Sequence, residues 1–200
     1  METSECQNPC IDRTAFHEAG HVVMNLHYLS VPEYATLEPH GEFQARVHSA
    51  SITSSLLKEI VQSSSDFDWE PLVRRYAHSA YAGAAAEAII DGDLLEAVFE
   101  ELIITDLLGE TDMSENSYFS RLEVCLNLML ELHGDADPEK WPFGKLSPYD
   151  ILFEEIWDET IEILQQHWTD VTTIAEALIE RRTLTGEELL AIYDECEVED

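Results

Sequence analysis

The sequence predicts a mainly α-helical (α+β) fold with one small β element after the first helix. Apolar residues recur at helical spacing along most of the 200 residues, whereas the short apolar runs typical of strands occur only near residue 40. Apolar residues make up 45% of the chain, which is enough to bury a sizeable core. No internal repeat or low-complexity segment suggests another organisation.

The first predicted elements are a helix and a small hairpin or meander. A helix is predicted over residues 13–29, because its apolar residues form one stripe at a spacing of three and four. Short strands are predicted at Tyr34–Leu37 and Phe43–Val47. Proline and glycine in Glu38–Gly41 favour a turn between these strands.

Four helices are predicted in the middle of the chain. They cover Ser54–Gln62, Asp68–Ile90, Leu94–Leu108 and Tyr118–Leu132. The second of them is rich in alanine, which allows another helix to approach closely. Gly92 is its expected C-cap.

The C-terminal part, about residues 147–196, is also predicted to be helical, with a break near Thr169. Thr185 and Glu188 have the spacing of a capping box, which predicts the start of the last helix. No segment has the composition of a linker. Residues 1–200 are therefore predicted to form a single domain.

The charge of the chain excludes several classes of partner. The chain has 10 Lys and Arg against 42 Asp and Glu, which gives a net charge of −32. Such a surface repels phosphate backbones and anionic membranes, so nucleic-acid binding is not expected. No apolar run is long enough to predict a membrane-spanning helix, and the polar first residues do not resemble a secretory signal. We therefore expect a cytoplasmic protein, and the low lysine count with so much acid also suits a high-salt cytoplasm.

One segment of the first helix has a metal-binding pattern, His17-Glu18-Ala19-Gly20-His21. Residues four apart share a helix face, so His17 and His21 can direct ring nitrogens at one metal ion. Glu18 is turned about 100° from His17 around the helix axis and can reach a water molecule beside the metal. Zinc lowers the pKa of such a water to about 7, and the carboxylate can take its proton as the water attacks a carbonyl carbon.

The two histidines also have a simpler interpretation. The chain holds 8 histidines and many glutamates, so the pattern can arise by chance, with both rings as ordinary core residues. Its place on an amphipathic helix rather than in a loop favours the metal site.

Several segments resemble the proteolytic domain of the FtsH-type zinc metallopeptidases. Thr14–Val23 is similar to the signature helix of that family, and Tyr34–Pro39 is similar to the short strand that follows it. Tyr81–Gly92 resembles the family's A-G-x-x-A-E-E-x-x-x-G helix, with Ala88 in place of the second Glu, and Leu178–Leu189 resembles its closing segment. The resemblance implies a helical metallopeptidase domain whose small β element follows the H-E-x-x-H helix.

The resemblance also implies a third zinc ligand, an aspartate at the start of a later helix after a glycine and a small polar residue. Gly109–Met113 fits that pattern best, which makes Asp112 the first candidate. Glu115 is the second, because the following helix is offset from the family's spacing. Glu87 is the third, because many H-E-x-x-H enzymes take a glutamate from a downstream helix. Asp112 could also be a helix N-cap.

The chain departs from the family outside the peptidase part. FtsH-type proteins carry a membrane anchor and an ATPase module before the peptidase. Here the metal helix starts within the first twenty residues, and the pattern G-x-x-x-x-G-K-[ST] occurs nowhere. We therefore expect a stand-alone peptidase-like domain with no ATP site.

The predicted function is that of a zinc-dependent metalloendopeptidase that acts, without ATP, on peptides or unfolded protein segments. His17, His21 and Asp112 would hold Zn²⁺, and Glu18 would be the general base. The alternative is a catalytically inactive helical domain that binds a partner protein. Glu18 argues against that alternative, because a structural zinc site needs no base and is usually closed by four protein ligands. The substrate, and the choice between a homo-oligomer and a separate partner protein, stay open.

Overall fold

The computed structural model describes residues 9–39, 45–48, 54–63, 68–92, 125, 127–130 and 148–196. In chain order its elements are α1 (Pro9–His27), β1 (Tyr34–Thr36), β2 (Arg46–His48), α2 (Ser54–Ser63), α3 (Glu70–Asp91), α4 (Pro148–Gln166), α5 (Trp168–Arg181), β3 (Thr183–Thr185) and α6 (Gly186–Cys196). Residues 125 and 127–130 are also helical. The prediction of a mainly α fold with a small β element is therefore confirmed.

The helix boundaries lie close to those predicted from the sequence. Helix α3 ends at Asp91, and the next residue, Gly92, is the predicted C-cap: it has φ +74° and donates its N–H to the carbonyl of Ala88 at 3.0 Å. The predicted break in the C-terminal helix falls at His167, between α4 and α5. The helix predicted at Leu94–Leu108, and most of the one at Tyr118–Leu132, lie outside the described residues.

The sheet has three antiparallel strands in the order β2-β1-β3. On one side of β1, Ala35 lies opposite Val47 of β2. On the other side, Ala35 lies opposite Leu184 of β3. The sequence predicted the first two strands but not the third, which joins the chain end to the segment that follows α1.

The described residues fall into two compact units, and the prediction of one domain over residues 1–200 stays a prediction. The first unit is drawn from Met1–Ala50, Ala82–Gly92 and Ile163–Asp200. In this unit α1 packs against α5, and the sheet and α6 complete the core. Its fully buried apolar side chains include Ala15, Ala19, Val22, Val23, Met24, Ala35, Val171, Ile174, Leu178, Leu184 and Leu189.

The second unit is drawn from Ser51–Tyr81 and Asp93–Glu162. Its core contains two edge-to-face aromatic contacts of Tyr81, with Phe153 and with Trp157, at ring centroid distances of 5.3 Å and 5.5 Å. The same unit also contains a cluster of charged and polar side chains. Glu159 accepts hydrogen bonds from Arg74 at 2.7 Å and contacts the buried His78 ring at 2.9 Å.

Candidate metal centre

His17 and His21 lie on the same face of α1, as their spacing of four residues requires. The Nε2 atoms of the two rings are 3.2 Å apart. The ring centroids are 4.9 Å apart and the ring planes cross at 73°. The Nε2 atoms of the two rings thus lie next to each other beside the helix.

Glu87 of α3 binds His17 on the opposite side of the ring. Its Oε1 lies 2.6 Å from His17 Nδ1, and its Oε2 accepts a hydrogen bond from Arg13 Nε at 2.5 Å. Burial alone would raise the pKa of Glu87, but the hydrogen bonds and charges of His17 and Arg13 hold it below its ordinary value. A carboxylate at Nδ1 places the proton of a neutral His17 there. The Nε2 lone pair then faces His21.

Glu18 is almost fully buried, at 5% exposure. Burial raises the pKa of its carboxyl to about 7, although the charge of His17 and a hydrogen bond from the Val47 backbone N–H act in the opposite direction. Among the described residues, its Oε2 has no hydrogen-bond partner. A buried, unpartnered carboxylate oxygen is costly unless another group satisfies it.

Two glycines allow the helices to approach closely at this site. A Cβ atom on Gly20 would lie 2.5 Å from the carbonyl oxygen of Ala82 and 2.8 Å from the Cβ of Ala86. A Cβ atom on Gly83 would collide with the His17 ring at Nε2, and would lie 2.6 Å from its Cδ2 and Cε1. The His17 ring therefore lies directly against residue 83, and this close packing is possible only because that residue has no side chain.

The two nitrogens fit a shared metal ion. Two nitrogens bound tetrahedrally to one zinc at the usual ~2.0–2.1 Å would be about 3.3 Å apart. The observed 3.2 Å agrees with this distance. Imidazole nitrogen is a common zinc ligand. The Glu18 oxygen that has no hydrogen-bond partner among the described residues supplies a proton acceptor next to the helix face that carries both nitrogens.

The structure does not test the prediction of the third metal ligand. Asp112 and Glu115 lie outside the described residues. Glu87 lies within them, and it contacts the nitrogen of His17 that faces away from His21. Among the parts of the chain that the structure describes, no three His, Cys, Asp or Glu side chains converge as a metal site.

Sequence reasoning placed Glu87 only as a third choice of ligand and assigned no role to Arg13 or Val47. The signal for Glu87 was its place in the segment Tyr81–Gly92, which resembles a family motif. No local pattern relates either Arg13 or Val47 to the site, because both reach it through tertiary contacts.

The chain is distantly similar to the ATP-dependent zinc metalloprotease FtsH of Acidimicrobium ferrooxidans, with 25% identity over an alignment of 200 positions. The alignment covers 92% of this chain but 28% of that relative. No protein-family model matches the sequence.

Within the described ranges, no helix combines the length and the apolar character that crossing a membrane requires.

Proposed function

We propose that this chain is a zinc-dependent metalloendopeptidase that hydrolyses peptide bonds in peptides or unfolded protein segments. The observation that carries the proposal is the convergence of two Nε2 atoms, 3.2 Å apart, on the helix that also buries the Glu18 carboxyl. The distant similarity to a zinc metalloprotease supports it.

His17 and His21 would hold the metal through Nε2, with Asp112 as the proposed third ligand. Glu87 would fix the orientation and the tautomer of His17, as carboxylates behind zinc-bound histidines commonly do. A bound zinc ion supplies Lewis acidity, which polarises a carbonyl group and lowers the pKa of a water molecule.

Glu18 would act as the general base. A pKa of about 7 is well matched to accepting a proton from water near neutral pH. A cation nearby favours the charged form of a carboxyl, so metal binding would also keep Glu18 ionised. After the water has attacked the carbonyl carbon, Glu18 can pass the proton to the leaving amide nitrogen.

The position of β2 at one edge of the sheet, as far as the described residues show, supports the proposal of a peptide substrate. The backbone N–H of Val47 reaches Glu18, so this edge of β2 lies beside the proposed base. An extended peptide can add to a free strand edge through main-chain hydrogen bonds, which are largely independent of sequence.

Because the sequence holds no G-x-x-x-x-G-K-[ST], we propose that cleavage by this chain requires no ATP.

Metal analysis of the purified protein tests the site. We expect about one zinc per chain, lost in His17→Ala and in His21→Ala and retained in His48→Ala, a partly exposed histidine of β2. Asp112→Ala should lower zinc affinity strongly, and Glu115→Ala should not. Retention of full zinc content in both His17→Ala and His21→Ala would exclude the site.

The competing function is a catalytically inactive domain that binds a partner protein. It requires no hydrolysis by the zinc-loaded parent chain. Cleavage of an unfolded substrate such as casein, abolished by a chelator and restored by zinc, would rule it out.

A further inference from the structure

A second histidine pair lies at the other end of α1. His27, the last residue of α1, places its Nδ1 3.3 Å from Nε2 of His167, the residue before α5. Asp170, which is 5% exposed, places its Oδ2 3.1 Å from His167 Nδ1. All of these residues belong to the first unit.

The second pair closely reproduces the geometry of the first. The ring centroids of His27 and His167 are 5.3 Å apart and the planes cross at 68°, compared with 4.9 Å and 73° for His17 and His21. In both pairs a carboxylate lies at Nδ1 of one histidine. Nε2 of that ring is the atom next to the partner ring, where it meets Nε2 in the first pair and Nδ1 in the second. The nitrogen separation again matches the ~3.3 Å expected for two ligands of one tetrahedral ion.

The protonation of this pair also suits a metal. Asp170 accepts the Nδ1–H of His167, which leaves the Nε2 lone pair directed at His27. An imidazole nitrogen that carries a lone pair is the form that binds metal ions.

We propose that His27 Nδ1 and His167 Nε2 form a second binding site, for a divalent transition-metal ion, with Asp170 orienting the His167 ring. Aromatic rings border the site, because Tyr28 lies edge-on to His27 and Tyr193 stacks on His167. Among the described residues, no third His, Cys, Asp or Glu side chain joins His27 and His167 as a metal ligand. Water would fill the remaining coordination positions of the metal, so the metal would bind reversibly.

The donor type selects the class of metal. Imidazole nitrogen suits copper, nickel and zinc, whereas the hard cations calcium and magnesium require oxygen ligands. The net charge of −32 concentrates cations of every kind near the surface. Selectivity at this position therefore depends on the two nitrogens.

Copper(II) is the sharpest probe, because it binds tightest among these ions and its electron paramagnetic resonance spectrum distinguishes nitrogen from oxygen ligands. One nitrogen-ligated Cu²⁺ equivalent should disappear in His27→Gln and in His167→Gln, relative to the parent chain. His48→Gln is the matched control and should keep the parent count. Asp170→Asn keeps both nitrogens and should weaken this equivalent by about 10–100-fold.

The comparison does not depend on the first histidine pair, whose loss would lower the parent and variant counts alike. An unchanged nitrogen-ligated count in folded His27→Gln and His167→Gln would overturn the proposal. If a variant does not fold, nuclear magnetic resonance of the parent protein with added Cu²⁺ tests the site instead. Cu²⁺ should broaden the ring signals of Tyr28 and Tyr193 selectively, and unaffected signals would overturn the proposal equally.

Discussion

At the scale of single residues, the position of Glu87 bears on whether it would bind the proposed zinc ion itself or would orient His17. It contacts His17 through Nδ1, while Nε2 of the same ring faces His21. One imidazole can serve a carboxylate and a metal at the same time, because its two nitrogens point in opposite directions. The geometry therefore favours an orienting role for Glu87.

Glu87→Ala should weaken zinc binding by about 10–100-fold without abolishing it, the usual effect of removing such a partner. Competition with a chelator of known affinity measures the change. Asp91→Ala is the matched control, since Asp91 is also an acidic partner of Arg13 on α3 and lies 3.2 Å from it. Loss of zinc as complete as in His17→Ala would instead make Glu87 a ligand, and unchanged affinity would remove its role.

The sequence predicts His17, Glu18 and His21 as a group because their relation is local. Spacings of one and four along a helix determine which side chains share a face. The role of Glu87 could not be predicted in the same way. It depends on how residues 82–86 pack against α1, at a distance allowed by Gly20.

At the scale of elements, the helices were predictable and the third strand was not. Periodicity and end signals such as Gly92 specify helices within a short window. Strand β3 has three residues, too few for a pattern, and it forms only by pairing with β1 about 150 positions away. Arg182, just before β3, adds a further hydrogen bond between the two segments: its φ is +66° and its carbonyl accepts the N–H of Leu37, just after β1, at 2.8 Å.

The capping box at the start of α6 was predicted and is confirmed. Glu188 Oε2 accepts the backbone N–H of Thr185 at 2.8 Å and its hydroxyl at 2.9 Å. Glu188→Ala should therefore lower the melting temperature more than Glu187→Ala, its exposed neighbour in the same helical turn. Equal melting temperatures in the two variants would show that the box contributes nothing.

The effect of Glu188 should also depend on pH. Hydrogen bonds from the Thr185 backbone and hydroxyl lower the pKa of Glu188 below its ordinary value of 4.5. A lowered pKa in the folded state gives stability that is present above 4.5 and disappears as the pH falls through the folded value. The difference in melting temperature between parent and Glu188→Gln should shrink on acidification below 4.5, and a constant difference would contradict this.

At the scale of the whole molecule, the net charge of −32 opposes the compact state through self-repulsion. Salt shortens the Debye length from about 10 Å at 0.1 M to about 3 Å at 1 M and so weakens that repulsion. The melting temperature should rise as NaCl increases over this range, as circular dichroism can measure. A melting temperature that stays constant or falls would show that repulsion is not the dominant electrostatic effect.

Composition predicts this behaviour directly, but it cannot predict how distant segments combine. The first unit brings together three separate ranges of the chain, and the two histidine pairs both lie in it. His27 and His167 are 140 positions apart, and no sequence spacing relates them.

The most direct test of the metallopeptidase proposal compares the parent with Glu18→Gln in zinc content and in cleavage of an unfolded substrate. The glutamine keeps the size of the side chain but removes the basic carboxylate from a buried position. Zinc content should be unchanged, while turnover should fall by about 10²–10⁴-fold, the range for losing a positioned general base. Equal cleavage rates with zinc bound in both proteins would contradict the assignment of Glu18 and the mechanism that depends on it.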